Sequence, residues 1–223
     1  MSSKKMQFVL ILSVFAFLAC GGSGKTKENL SAEENAAAAK PQKTIENLQT
    51  AITNESRAGA KYKVLALKAE KEGCKNLAKM FDAASFAEQV PVSFQSVLLN
   101  LLSVQFVPEA EIPVIHIGME ANIREAVQTQ TAEFSSLYPS MIEDAKAENV
   151  EQAILSFTFS MEAKKKNVEL YEQALTVFAK KHNDKAVSGQ WYVCPQCGCL
   201  FTNVSAVDAC TVCGEAKGNF RKF

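Results

Sequence analysis

The chain has 223 residues, 24 basic and 24 acidic, so no bulk field draws it to a nucleic acid or an anionic surface. Hydrophobic residues make up 48% and charged ones 22%, the balance of a globular protein with room for one medium domain and a small appendage. Only two histidines occur, His116 and His182, which excludes a site built on several imidazoles, whereas five of the seven cysteines follow residue 190.

Residues 1–20 carry the parts of an export signal: Lys4 and Lys5, an apolar run over 8–18, then Ala19 and Cys20. The run is short for a bilayer span. Phe17-Leu18-Ala19-Cys20 resembles the lipobox of bacterial lipoproteins, which implies that Cys20 is lipidated and begins the mature chain. Plain secretion with cleavage near Ala19 is the alternative. Several acyl chains would anchor stably where one holds weakly. Residues 21–43 are rich in Gly, Ser, Ala, Lys and Glu, contain Pro41, and lack an apolar period. Such a tether spans roughly 25 Å. The expectation is a folded part held beside a membrane of the cell envelope, on its exported side.

From Thr44 onward the apolar residues recur at steps of three and four, which predicts four helices. The first stripe is Ile45, Leu48, Ile52, Gly59, Tyr62, Ala66 and Ala69, with Glu55 filling its gap. The second runs Leu77, Phe81, Ala84, Glu88, Phe94, Leu98 and Leu102, and the third Ile123, Val127, Gln130, Phe134, Leu137 and Met141. The fourth runs Val150, Ile154, Phe157, Met161, Lys164, Val168, Tyr171, Leu175 and Phe178. Gly73 and Asn149 mark turns within two helix pairs, and the proline-containing segment 108–118 separates the pairs. The pairs resemble an internal repeat: Asn47-Leu48, Ala51-Ile52 and Phe81 recur as Asn122-Ile123, Ala126-Val127 and Phe157.

Each stripe carries one polar residue at mid-length: Glu55, Glu88, Gln130 and Lys164. Burying such groups is costly unless they pair or bind a metal, so the expectation is one polar layer across a four-helix bundle. Lys164 heads the run Lys164-Lys165-Lys166, and an outward, solvated lysine is the alternative.

The order of signals resembles the rubrerythrin family, a ferritin-like di-iron bundle followed by a rubredoxin-like domain. Glu46-Asn47-Leu48, Glu55 before Ala58 and Tyr62, Tyr138-Pro139, and Trp191-Tyr192-Val193-Cys194-Pro195 carry the likeness, which covers 44–223. The expected fold is therefore mainly α: a ferritin-like bundle over 44–182 and a small metal-binding domain over 189–223. Ferritin-like di-iron sites take a Glu from each of two helices and a Glu-x-x-His from each of the others. Here Glu55 and Glu88 hold their places, and Glu133 matches an extra family glutamate. Pro91 stands where a histidine belongs, Gln130 replaces a glutamate, and Lys164 and Asn167 replace the second Glu-x-x-His pair. Three carboxylates are a poor cage for two irons, and an ammonium is a donor-only cation. The expectation is a salt-bridged polar core in place of a di-iron centre. With all three glutamates ionised and Lys164 protonated the layer would carry −2, and burial should neutralise a carboxyl. Pro91 should kink its helix, because its ring crowds the Ala87 carbonyl.

Cys194-x-x-Cys197 and Cys210-x-x-Cys213 lie 12 residues apart, and Gly198 and Gly214 follow the second cysteine of each pair. Glycine lets the backbone wrap so that amides point at the sulfurs. Two such turns make a tetrahedral four-sulfur site that suits iron or zinc. A pair of disulfides is the rival in an exported chain. Trp191, Tyr192 and Phe220 are expected to form a small apolar core beside the metal, while Cys199 and Cys74 read as structural or incidental free thiols, with oxidation of an exposed Cys199 as the alternative. Resemblance to rubredoxin favours one iron cycling by single electrons. The family resemblance further implies peroxide chemistry, an oxidative-stress setting, a homodimer and an external redox partner. Three functions follow: a tethered electron carrier, an active peroxide reductase, or an envelope lipoprotein with a structural zinc.

Overall fold

The computed structural model describes residues 40–223 apart from His182. The lipobox and Cys20, most of the tether, and His182 therefore lie outside the described residues. Five α-helices make up most of the fold: α1 (Gln42–Lys71), α2 (Lys75–Leu101), α3 (Met119–Ala132), α4 (Tyr138–Ala147) and α5 (Glu151–Lys181). A π-helical turn, Glu133–Leu137, fuses α3 and α4 into one rod, so the bundle has four members. No helix among the described residues is long and apolar enough to cross a membrane.

The turns work as the sequence suggests. Gly73 and Asn149 take left-handed φ of 79° and 57°. Each reverses the chain while Cys74 N–H and Val150 N–H reach back to the carbonyls of Ala69 and Ala145. Ser103, with φ of 57°, ends α2 in the same way, its neighbour Val104 N–H donating to Leu99. Helix starts depend on distant acids instead. Glu148, in the α4–α5 turn, accepts from Lys43 N–H (2.9 Å) and Thr44 N–H (2.7 Å) at the head of α1. Asp184, beyond α5, accepts from Asn76 N–H and Leu77 N–H, both at 2.8 Å, at the head of α2. These carboxylates satisfy amides that a helix cannot pair internally, and they oppose the positive end of its dipole.

The stripes of α1 and α5 are buried or half-buried as expected, including Glu55 and Lys164. Two stripes need correction. On α2, Phe94 is 50% exposed, and Pro91 and Gln95 lie inward instead. The inward row runs Glu88, Pro91, Gln95, Leu98, and its unusual residues concealed the period. On the third rod, Phe134 and Leu137 are half-buried while Glu133 and Tyr138 are buried. The π turn holds one residue more than an α turn, so it rotates everything after Gln130 by one position. Pro91 does not end its helix, which runs unbroken from Lys75 to Leu101.

The repeat has structural content. Leu48 and Ile123 are both fully buried, as are Phe81 and Phe157. Tyr62 packs on Phe81 with ring centroids 6.1 Å apart, and Tyr138 packs on Phe157 at 6.2 Å. Gln130 stands 75 residues after Glu55, whereas Tyr138 stands 76 after Tyr62 and Lys164 stands 76 after Glu88. The added residue falls in the π turn.

The C-terminal segment forms a small antiparallel sheet of β1 (Tyr192–Val193), β2 (Leu200–Phe201) and β3 (Arg221–Lys222), in the order β2-β1-β3. Its register pairs Tyr192 with Phe201 and with Lys222. Contrary to expectation, Trp191 does not build a separate core there. Trp191, Val193 and Leu200 are buried in the cluster that contains Tyr62, Phe81 and Tyr171 of the bundle. The tail keeps only a lesser contact of its own, Phe201 stacked on Phe220 at 4.9 Å.

Candidate metal centre and buried polar layer

The four expected cysteines converge. All four sulfurs lie within 4.8 Å of one another, with Cys194 and Cys213 at 3.5 Å and Cys197 and Cys210 at 3.6 Å. A disulfide needs about 2.05 Å, and these thiols are free. A tetrahedral ion with metal–sulfur bonds of about 2.3 Å sets sulfurs about 3.8 Å apart, a span that falls between these two separations and the 4.8 Å limit of the cluster.

Each pair forms the same turn. Gly198 N–H donates to Cys194 O and Cys194 N–H to Cys199 O, while Gly214 N–H donates to Cys210 O and Cys210 N–H to Glu215 O. Gly198 and Gly214 take φ of 77° and 79°, a region costly for other residues. The wrap turns the amides of Gln196 and Cys197 on the Cys194 sulfur, and that of Cys199 on the Cys197 sulfur. Hydrogen bonds from Cys194, Cys197 and Cys199 hold Cys210 well below the ordinary thiol pKa. The hydrogen bonds with Cys194 and Cys210, together with burial, push the Cys197 thiol up, so a bound cation would be what holds all four sulfurs as thiolates. The residues fit a rubredoxin-type site.

For Cys199 the alternative fails. It is not exposed but 1% accessible, packed with the four ligands, so it is shielded from oxidants. Cys74 sits just before α2, half-buried against the bundle core.

Within the bundle the polar layer is real. Lys164 is buried, with Nζ 2.8 Å from Glu88 Oε2 and 3.0 Å from Glu133 Oε2. Gln130 Nε2 donates to Glu88 Oε1 at 2.6 Å, so both Glu88 oxygens accept from donors, as an ionised carboxylate would. Burial alone would lower the Lys164 pKa, but Glu88 and Glu133 outweigh it and hold the ammonium well above the ordinary lysine value. Burial pushes Glu88 up against the pull of Lys164.

Glu55 differs. Tyr138 donates its hydroxyl to Glu55 Oε1, while Oε2 has no partner among the described residues. Burial raises this carboxyl to about 8, against the pull of Lys164, and leaves it neutral at pH 7. The carboxyl that burial was expected to neutralise is thus Glu55. The two tyrosines are related by the repeat: Tyr138 reaches Glu55 of the first pair, and Gln130 Nε2 of the second reaches the Tyr62 hydroxyl at 3.4 Å. Tyr62 as part of this layer escaped the sequence reading. The change of repeat offset from 75 to 76 was the signal that could have located both the π turn and the inward Tyr138.

Pro91 and Asn167 lie apart from this network and face the cysteine turn. Asn167 Nδ2 donates to Gly198 O at 3.2 Å, and its Oδ1 accepts from Leu200 N–H at 2.7 Å. His116 does not join the layer: in the connecting segment it is half-exposed beside Glu125, with Nε2 3.1 Å from that carboxylate.

A ferritin-like bundle joined to a four-cysteine site of rubredoxin type defines a class of iron-binding proteins. The sequence pattern of the rubrerythrin family matches residues 46–175, and the chain belongs to that family. Rubrerythrin-2 of Clostridium acetobutylicum is 25% identical over 184 residues, spanning 81% of this chain and 96% of that protein. Nigerythrin of Nitratidesulfovibrio vulgaris is 26% identical over 181 residues, covering 81% and 86%. The structure of nigerythrin in its fully reduced, all-ferrous state superposes with a TM-score of 0.73 at 24% identity, again covering 81% and 86%. The family binds iron, and the cysteine cluster fits the rubredoxin-type part of that inventory.

Proposed function

We propose that this chain is an electron-transfer member of the rubrerythrin family whose redox centre is a single iron held by Cys194, Cys197, Cys210 and Cys213. The observation that carries the reading is Lys164, whose ammonium lies between Glu88 and Glu133 where a metal's charge would otherwise sit. Pro91 and Asn167 offer no imidazole, and Gln130 spends its amide on Glu88. Glu55, Glu88 and Glu133 thus have protein partners or a proton, and the bundle serves as a scaffold with no di-iron pair. Iron at the four sulfurs supplies a one-electron couple. The chain's own part is to hold four sulfurs in a tetrahedron, direct amides at them, and keep Cys197 and Cys210 out of water.

The test is metal content after anaerobic, iron-replete expression, followed by peroxide-dependent reoxidation of the reduced protein. One iron per chain, a thiolate-to-iron absorption that bleaches on reduction, and slow reoxidation are expected. Three irons with fast reoxidation would replace this reading with an active peroxide reductase. One zinc in colourless protein would leave a structural site.

The setting belongs to the same proposal. Phe17-Leu18-Ala19-Cys20 supports lipidation at Cys20 and tethering on the exported side of an envelope membrane. Labelled palmitate should enter the protein and be lost in Cys20→Ala. A carrier of single electrons requires an external redox partner. The homodimer implied by the family likeness is tested by light scattering.

A further inference from the structure

Pro91 has no N–H, so the carbonyl of Ala87 one turn earlier loses its helical partner. That carbonyl meets the cysteine turn. A Cβ built on Gly198 would stand 2.5 Å from Ala87 O, so only a glycine lets the turn come this close. On the other side, Asn167 of α5 grips the carbonyl of Gly198 and the amide of Leu200. The two residues it grips flank Cys199, and the peptide whose carbonyl it holds is the one that carries the Cys199 N–H. The segment Gly198-Cys199-Leu200 is therefore held between α2 and α5 of its own chain. The second turn, at Cys210–Gly214, has no such contact: a Cβ on Gly214 would meet nothing within 4 Å.

We infer that Asn167 is a positioning residue for the metal site: by fixing the peptides on both sides of Cys199, it holds the Cys199 N–H on the Cys197 thiolate. A four-thiolate iron site is more negative by one charge when reduced. An N–H aimed at sulfur therefore favours the reduced form and raises the potential. Loosening that N–H lowers it. Gly198 lies in close contact with the Ala87 carbonyl, but its own N–H donates to Cys194 O, so the hydrogen bonds that dock this cysteine turn on the bundle are those of Asn167, one of the two positions that lack the family's histidines. The potential rests on the proposed iron reading, whereas the docking itself does not.

The test uses the full chain and two variants, Asn167→Ala and Asn167→Asp, with amide exchange as the first measurement. Asn167→Ala should speed exchange at Cys199 and Leu200 by about tenfold while leaving Cys213 and Gly214 unchanged. Asn167→Asp keeps an acceptor for Leu200 N–H and loses the donor to Gly198, so its effect should be smaller at Leu200. In iron-loaded protein the midpoint potential of Asn167→Ala should fall below that of the parent. Equal loosening of both cysteine turns would mean general destabilisation and overturn the inference, as would unchanged exchange in a folded Asn167→Ala. An unchanged potential with fast local exchange would overturn the role in holding the N–H on sulfur. A zinc-filled protein would sink the electron-transfer reading, yet the exchange comparison would still decide the docking.

Discussion

Substituting Lys164→Met keeps the aliphatic stem and removes the ammonium that bridges Glu88 and Glu133. Removing one partner of a buried charge group costs about 3–5 kcal/mol when the remaining charge cannot escape. Here escape exists, because the carboxyls can take up protons. Burial already raises Glu88, and loss of Lys164, the main opposing influence, raises it further. A carboxyl whose folded pKa lies above its unfolded value binds more protons in the native state, so stability falls as pH rises between those two values. Lys164 itself is charged in both states well beyond this range, since its folded pKa is raised. The variant should therefore lie close to the parent near pH 5 and fall behind by about 3–5 kcal/mol at pH 8. Urea unfolding at pH 5, 6, 7 and 8, followed by helical circular dichroism, measures this. A loss that is constant across the range, or below about 0.5 kcal/mol throughout, would refute the buried lysine bridge.

Other expectations follow from the same geometry. Glu55 has a folded pKa of about 8, raised from 4.5, so its protonated form supports the fold and that support is lost as pH rises towards 8. Glu55→Gln should escape this loss, gaining on the parent between pH 5 and 8 by up to about 4 kcal/mol in denaturant unfolding. Gly198→Ala forces a Cβ to 2.5 Å from Ala87 O at a φ of 77°, and should cost about 2–4 kcal/mol. Gly214→Ala has the same φ problem but open space, and should cost only about 1–2 kcal/mol, so thermal unfolding of the pair isolates the docking contact. Stripping the metal with a chelator should lower the melting temperature of the whole described fold in one transition, because Trp191 and Leu200 share the bundle's core. A bundle transition unmoved by metal removal, seen by calorimetry, would contradict that shared core.

Much of this protein is written locally. The helical rhythm, the reversals at Gly73 and Asn149, and the paired Cys-x-x-Cys turns with their glycines depend on neighbours a few residues away, and they were legible without coordinates. So was the inward Lys164, since a residue's place on a helix follows from spacing alone. Where the spacing was interrupted, inference failed: the extra residue of the π turn hid the inward Tyr138 and left Glu133 to be placed by the family likeness alone, and Pro91 with Gln95 hid the inward row of α2. The remaining facts belong to tertiary structure, because they join parts far apart in the chain. Cys199 is shielded by packing among the four ligands, and Trp191 by the bundle core, so neither burial could be read from adjacent residues. Asn167 finds Leu200 across 33 residues and Asp184 finds Leu77 across 107. Sequence determined which residues were missing from the family's metal pattern; only the packed chain decided that Lys164 pairs with two of the remaining acids and Asn167 with the cysteine turn.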